Sequence, residues 1–88
     1  MMDPLEESRA QITATDRELL SALNRRLEIV RRLHDYKQRE GIPLRDPGRE
    51  EALIAALKAD NAGPLSPEAV ARFFHFVLEL TRDEIHGA

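Results

Sequence analysis

Residues Leu5 to Glu40 read LEESRAQITATDRELLSALNRRLEIVRRLHDYKQRE, without a glycine or proline to interrupt them. At about 100° of rotation per residue, the side chains of Ile12, Leu19, Leu23, Val30 and Leu33 fall within about 60° of Arg26, and Lys37 falls within about 20° of it. The stretch therefore predicts one long helix in which two cations, Arg26 and Lys37, stand in the most apolar stripe of the chain. An unpaired guanidinium or ammonium on a core-facing side costs on the order of several kcal/mol, so such a stripe needs anions to meet it. Those anions are either carboxylates of the protein or those of a ligand.

Length sharpens the problem. About 35 helical residues at about 1.5 Å each give a rod of roughly 50 Å, well over the diameter of a globule of this size. The rest of an 88-residue, 10.0 kDa chain cannot cover it. Leu5, Ile12, Leu19 and Leu23 follow one another at the spacings of a helix pair, so part of the rod is expected to pack on a second copy of the chain. With no cysteine, the chain has no disulfide to supply extra stability.

Outward from the rod, Asp3-Pro4 reads as a helix start followed by Glu6 and Glu7 at the positive end of the dipole. Gly41 and Ile42-Pro43 read as the stop. Asp46-Pro47 caps and opens a second helix, expected to run to about Ala59 with Leu53 and Leu57, together with Ile54 and Ala56, as its apolar face. Ser66-Pro67-Glu68 repeats the pattern for a third helix carrying Val70, Phe73, Phe74, Val77, Leu78, Thr81 and Ile85, ending near His86-Gly87. No strand signal appears, so the fold class is all-α: three helices in one domain spanning 1–88, assembled as an intertwined homodimer.

Composition limits the functions. Charged residues make up 33% of the chain with the signs interspersed, and the net charge is -3, which argues against a general nucleic-acid or anionic-membrane binder. No apolar run approaches the length of a membrane span, and Met1-Met2-Asp3-Pro4-Leu5-Glu6-Glu7 lacks the features of a signal peptide, so a cytoplasmic protein is expected. His34 and Tyr36 flank the stripe and read as packing, His75 as solvated, and Phe73, Phe74 and Phe76 as core or dimer contacts.

The charged groups expected on buried faces are Arg26, Lys37, Arg49 and Glu50, with Asp46 and Arg9 beside them. A structural ion pair such as Arg26 with Glu50 remains open for any two of them. As a set, the cations outnumber the acids, which points to a pocket for a small polyanion, most simply a dicarboxylate. Arginine suits carboxylates because its planar fork makes two parallel hydrogen bonds, whereas lysine supplies a movable point charge. Arg9 and Arg26 lie over about 25 Å apart along the rod, so an antiparallel partner helix would have to deliver its own Arg9 to the other subunit's pocket.

These residues, in order, resemble the all-helical class of chorismate mutase: Arg9-(x)2-Ile12-(x)3-Asp16-(x)2-Leu19-Leu20, then Leu23-Asn24-Arg25-Arg26, Tyr36-Lys37 and Arg45-Asp46-Pro47-(x)-Arg49-Glu50. The resemblance runs along nearly the full length. It implies a domain-swapped homodimer with two sites, and conversion of chorismate to prephenate by a [3,3] rearrangement that uses no metal or cofactor. By position, Arg26 and an Arg9 from the other subunit would grip the substrate carboxylates, with Arg49 close to the same end. Lys37 would donate to the ether oxygen and the nearby carboxylate, Glu50 would accept from the ring hydroxyl, and Asp46 would hold the loop and meet that hydroxyl through its backbone. Leu33, Leu53 and Leu78 would form apolar walls.

The third helix departs from the family pattern. Thr81 stands where the family has Ser, and Ile85 where it has a Gln or Glu that donates to the ether oxygen. Either Glu84 or His86 serves instead, or the ether oxygen relies on Lys37 alone. Readings of the same residues with other outcomes are an isochorismate-pyruvate lyase, an aminodeoxychorismate mutase, and a non-catalytic helical dimer module.

Overall fold

The structure, a computed structural model, describes Met1 and residues 3–87; Met2, within the N-terminal stretch quoted above, and Ala88, the last residue of the expected domain, lie outside the described residues. Three helices follow in order, α1 (Pro4–Glu40), α2 (Pro47–Asp60) and α3 (Pro67–His86), with no strand among the described residues. The all-α expectation holds, and each helix begins and ends on the residues whose chemistry marks an end.

At the start of α1, Asp3 Oδ1 accepts from the backbone N–H of Leu5 at 3.2 Å and its carbonyl accepts from Glu7 at 2.9 Å. At the other end Gly41 adopts φ +69°, the left-handed conformation that glycine reaches without a Cβ penalty. Its N–H donates to the Gln38 carbonyl at 3.4 Å and that of Ile42 to the Lys37 carbonyl at 2.9 Å. This pair of bonds is a Schellman closure, which satisfies two of the last orphan carbonyls and turns the chain back on itself. The Asp46 side chain accepts from Arg49 N–H at 3.1 Å with Pro47 opening α2, and Ser66 Oγ accepts from Ala69 N–H at 3.1 Å with Pro67 opening α3. Between them, Asn61 pins the turn, donating from Nδ2 to the Leu65 carbonyl at 2.7 Å and accepting from Gly63 N–H at 3.1 Å.

The chain divides into two units, Met1–Leu33 and His34–Ala88. The first is a single helical stretch. Among its apolar residues, Leu5, Ile12, Leu19, Leu20 and Ile29 are exposed, and Leu23, Leu27 and Val30 are half-buried. The second contains the last turns of α1 and the packed pair α2 and α3, with Ile54, Val70 and Val77 as its buried core.

The expected face of α2 holds for three of its four residues. Ile54 is buried and Leu53 and Leu57 are half-buried, whereas Ala56 is exposed. The run Ala52-Leu53-Ile54-Ala55-Ala56-Leu57 is apolar on every side, so spacing alone does not rank its faces. Val70 and Val77, seven apart on α3, supply the facing seam. Phe74 is half-buried and stacks edge-on against Phe73 at 5.1 Å, while Phe76 points outward with 59% of its surface exposed.

Candidate functional site

The second unit gathers most of the expected site residues. Lys37 is half-buried in the last turn of α1, and the Schellman closure brings Leu44 back beside it. Its Nζ donates to the Leu44 carbonyl at 3.5 Å, and among the described residues no carboxylate lies within ion-pair distance of it. A carbonyl at that distance orients an ammonium without neutralising it. Lys37 thus meets a carbonyl and, among the described residues, no carboxylate.

Glu50 stands in contrast. It lies one turn into α2 with 25% of its side chain exposed, and Arg82 of α3 reaches both of its oxygens through one nitrogen, Nη1, at 3.2 Å to Oε1 and 3.4 Å to Oε2. Arg45, on the loop before α2, adds a weaker approach at 4.0 Å to Oε2. These groups line a cleft of about 160 Å³ with Pro47, Glu51, His75 and Leu78. His75 is an exposed residue that nevertheless forms part of the cleft wall, a place its sequence position did not indicate.

The remaining positions divide by exposure. Leu53, Leu78, Thr81 and Ile85 are half-buried, and the Thr81 hydroxyl donates to the Val77 carbonyl at 2.6 Å. Asp46 and Arg49 were expected on a buried face and are exposed, because they occupy the open N-terminal turn of α2, ahead of its first buried residue, Ile54. In the first unit Arg26 is half-buried, as its stripe requires, whereas Arg9 is exposed and Leu33 keeps 45% of its surface in solvent. Arg9 and Arg26 lie on the same helix, α1, about 25 Å apart by helical rise, and do not meet within one chain.

Of the groups weighed as replacements for the missing donor at Ile85, Glu84 is exposed, and the His86 ring stacks edge-on with His34 at 5.5 Å. His34 carries a buried Nε2 with no hydrogen-bond partner among the described residues, and its Nδ1 lies 4.0 Å from Asp35. Arg82 was not singled out from the sequence. Its one available signal is position: it follows Leu78 by four residues, on the rim of an apolar face, where a lone arginine ordinarily reads as a solvated flank.

A family model described as chorismate mutase type II matches residues 8–85. The T-protein of Haemophilus influenzae is 38% identical over 64 residues, which cover 70% of this chain and 17% of that protein. The 4-amino-4-deoxychorismate mutase of Streptomyces pristinaespiralis is 40% identical over 60 residues, covering 68% of this chain and 43% of the relative. Among solved structures, the Form II structure of chorismate mutase from Thermus thermophilus superimposes with a TM-score of 0.92 at 27% identity, over 97% of each chain. This chain thus spans about a sixth of the T-protein and under half of the Streptomyces mutase. No described helix is long and apolar enough to cross a membrane.

Proposed function

The chain belongs to the type II chorismate mutase family, a family of isomerases, and from that premise we propose that it converts chorismate to prephenate in the cytoplasm, as a step in aromatic amino acid biosynthesis. Residues 1–88 act as one functional domain; the family match runs across both units, over residues 8–85. The observation that carries the reading is Lys37, half-buried, positively charged and without a carboxylate of its own among the described residues.

The reaction needs what such a group offers. As the substrate's carbon-oxygen bond breaks and a carbon-carbon bond forms within the same molecule, the ether oxygen gains negative charge. A cation already in position binds that charge better than it binds the ground state, so it lowers the barrier without reorganising. Orientation is the other requirement. Arg26, Arg49 and an Arg9 supplied by a second copy hold the carboxylates in the folded conformer, which replaces a search in solution with a fixed geometry. Glu50 accepts from the ring hydroxyl, and Asp46, which caps the helix that carries Glu50, holds the preceding loop and meets the same hydroxyl through its backbone. Leu33, Leu53, Leu78, Thr81 and Ile85 line the site. Since Ile85 cannot donate, the ether oxygen relies on Lys37 alone.

The requirement for a second copy is supported by the first unit, whose Leu5, Ile12 and Leu19 remain 54%, 59% and 46% exposed within one chain. A homodimer covers them and delivers the missing arginine. A second reading, rearrangement of 4-amino-4-deoxychorismate, is favoured by the Streptomyces relative at 40% identity. Incubating the purified protein separately with chorismate, isochorismate and 4-amino-4-deoxychorismate, with identification of the products, tests both. Prephenate formed from chorismate faster than in buffer is the expected result; release of pyruvate from isochorismate without prephenate formation identifies a lyase, and no turnover of any of the three identifies a non-catalytic module.

A further inference from the structure

The cleft between the start of α2 and α3 contains one carboxylate contacted by two guanidiniums, and the charge count there bears on which substrate it accepts. We infer that Arg82, assisted by Arg45, makes Glu50 selective for a neutral hydroxyl over a positively charged amine, and so acts as a specificity-determining residue. The inference rests on the reading that Glu50 meets the substituent of the substrate ring.

An ionised carboxylate accepts through about four lone-pair directions. Arg82 Nη1 sits across the two oxygens at 3.2 and 3.4 Å and leaves the others open, so Glu50 keeps capacity for one more donor. What changes is the charge that donor can carry. Arg82 already balances the single negative charge of Glu50, and Arg45, at 4.0 Å and 62% exposed, adds a weaker, solvent-screened positive field beside it. A hydroxyl donor adds no charge and is accepted. An aliphatic amine is protonated at neutral pH and brings a third positive charge beside two fixed ones, a like-charge arrangement that selects against it.

Of the two arginines, Arg82 dominates. It is the closer, 3.2 Å against 4.0 Å, and its side chain is 36% exposed against 62% for Arg45, so less of its field is lost to solvent. Glu51, the other acid on the cleft wall, is exposed and forms no ion pair with either arginine among the described residues, so it does not cancel that field. The ion pair from α2 to α3 could instead be only a structural clasp. A clasp would affect both substrates alike, whereas a selector changes their ratio.

The test is the ratio of kcat/KM for chorismate to that for 4-amino-4-deoxychorismate, measured on the full chain and on Arg82→Met, Arg82→Gln, Arg82→Lys and Glu50→Gln, with circular dichroism to confirm folding. The ratio is expected to favour chorismate in the unaltered chain and to fall by about tenfold or more when the charge is removed in Arg82→Met or Arg82→Gln. Arg82→Lys, which retains the charge, is expected to restore most of the preference. If Glu50→Gln moves the ratio and the uncharged Arg82 variants do not, the inference is overturned while the placing of Glu50 survives. If neither moves it, Glu50 does not meet that substituent, and both fall together.

Discussion

Leu5, Ile12, Leu19 and Leu20 in the first unit leave 46–60% of their surface in solvent, whereas Ile54, Val70 and Val77 in the second leave only 2–6%. Both sets are apolar residues at helical spacing, so the difference lies not in pattern but in what the same unit provides opposite them. In the second unit, α2 and α3 cover each other's seam. The first unit is one stretch of helix, and nothing within it can fold back onto its own stripe. Helical periodicity thus identifies the side that seeks cover without identifying the cover, which for the first unit we propose is a second copy of the chain. The polar residues separate similarly. Glu50 finds its cations within the second unit, and among the described residues Lys37 in that same unit finds a carbonyl and no carboxylate.

The largest expected effect separates chemistry from assembly. Lys37→Met, which keeps the stem and deletes the charge, should lower kcat by about 10²- to 10³-fold, as loss of a transition-state donor typically does. Its sedimentation behaviour should match that of the unaltered chain. Activity retained within tenfold would assign the ether oxygen to another group.

Next in size is the reverse experiment in the first unit. Leu19→Glu places a charge where a partner helix is expected, and should weaken self-association by at least about two orders of magnitude, read by sedimentation equilibrium, with activity lost in parallel. For a chain that works as a monomer, the same exchange at a residue already 46% exposed would shift stability by no more than about 0.5 kcal/mol. In the second unit, Val77→Ala should cost about 2 kcal/mol in chemical denaturation, since it empties a site only 2% exposed. Phe76→Ser, at 59% exposure, reports on cover from outside the chain: a cost comparable to that of Val77→Ala would place Phe76 in an interface. Smallest is Asp46→Ala, which removes the cap accepted from Arg49 N–H and should cost about 1 kcal/mol.

Helix ends were the most legible part of the sequence, because each is decided by one or two residues. Asp46-Pro47, Ser66-Pro67, Gly41 and Gly87 mark their boundaries with side-chain oxygens, fixed φ and left-handed backbone. The half-burial of Arg26 and Lys37 also followed from helical rotation. So did the α2 face of Leu53, Ile54 and Leu57, but not the exposure of Ala56, since Ala52 to Leu57 is apolar all round and spacing does not rank its faces. Nor did the exposure of Asp46 and Arg49, which depends on how far the α2 and α3 seam extends toward the start of α2. Arg82 was invisible for the same reason. Its meaning comes from Glu50, 32 residues away in sequence and 3.2 Å away in space.

We propose above all that the charge on Lys37 is held for a developing negative charge on a small dicarboxylate. Calorimetric titration with a rigid bicyclic dicarboxylate that mimics the transition state, against the unaltered chain and Lys37→Met, tests it most directly. The mimic is expected to bind the unaltered chain at least about 10²-fold more tightly than chorismate, and Lys37→Met to lose most of this advantage while keeping most of its affinity for chorismate. Equal affinity for mimic and substrate, or an advantage that survives the loss of Lys37, would contradict it.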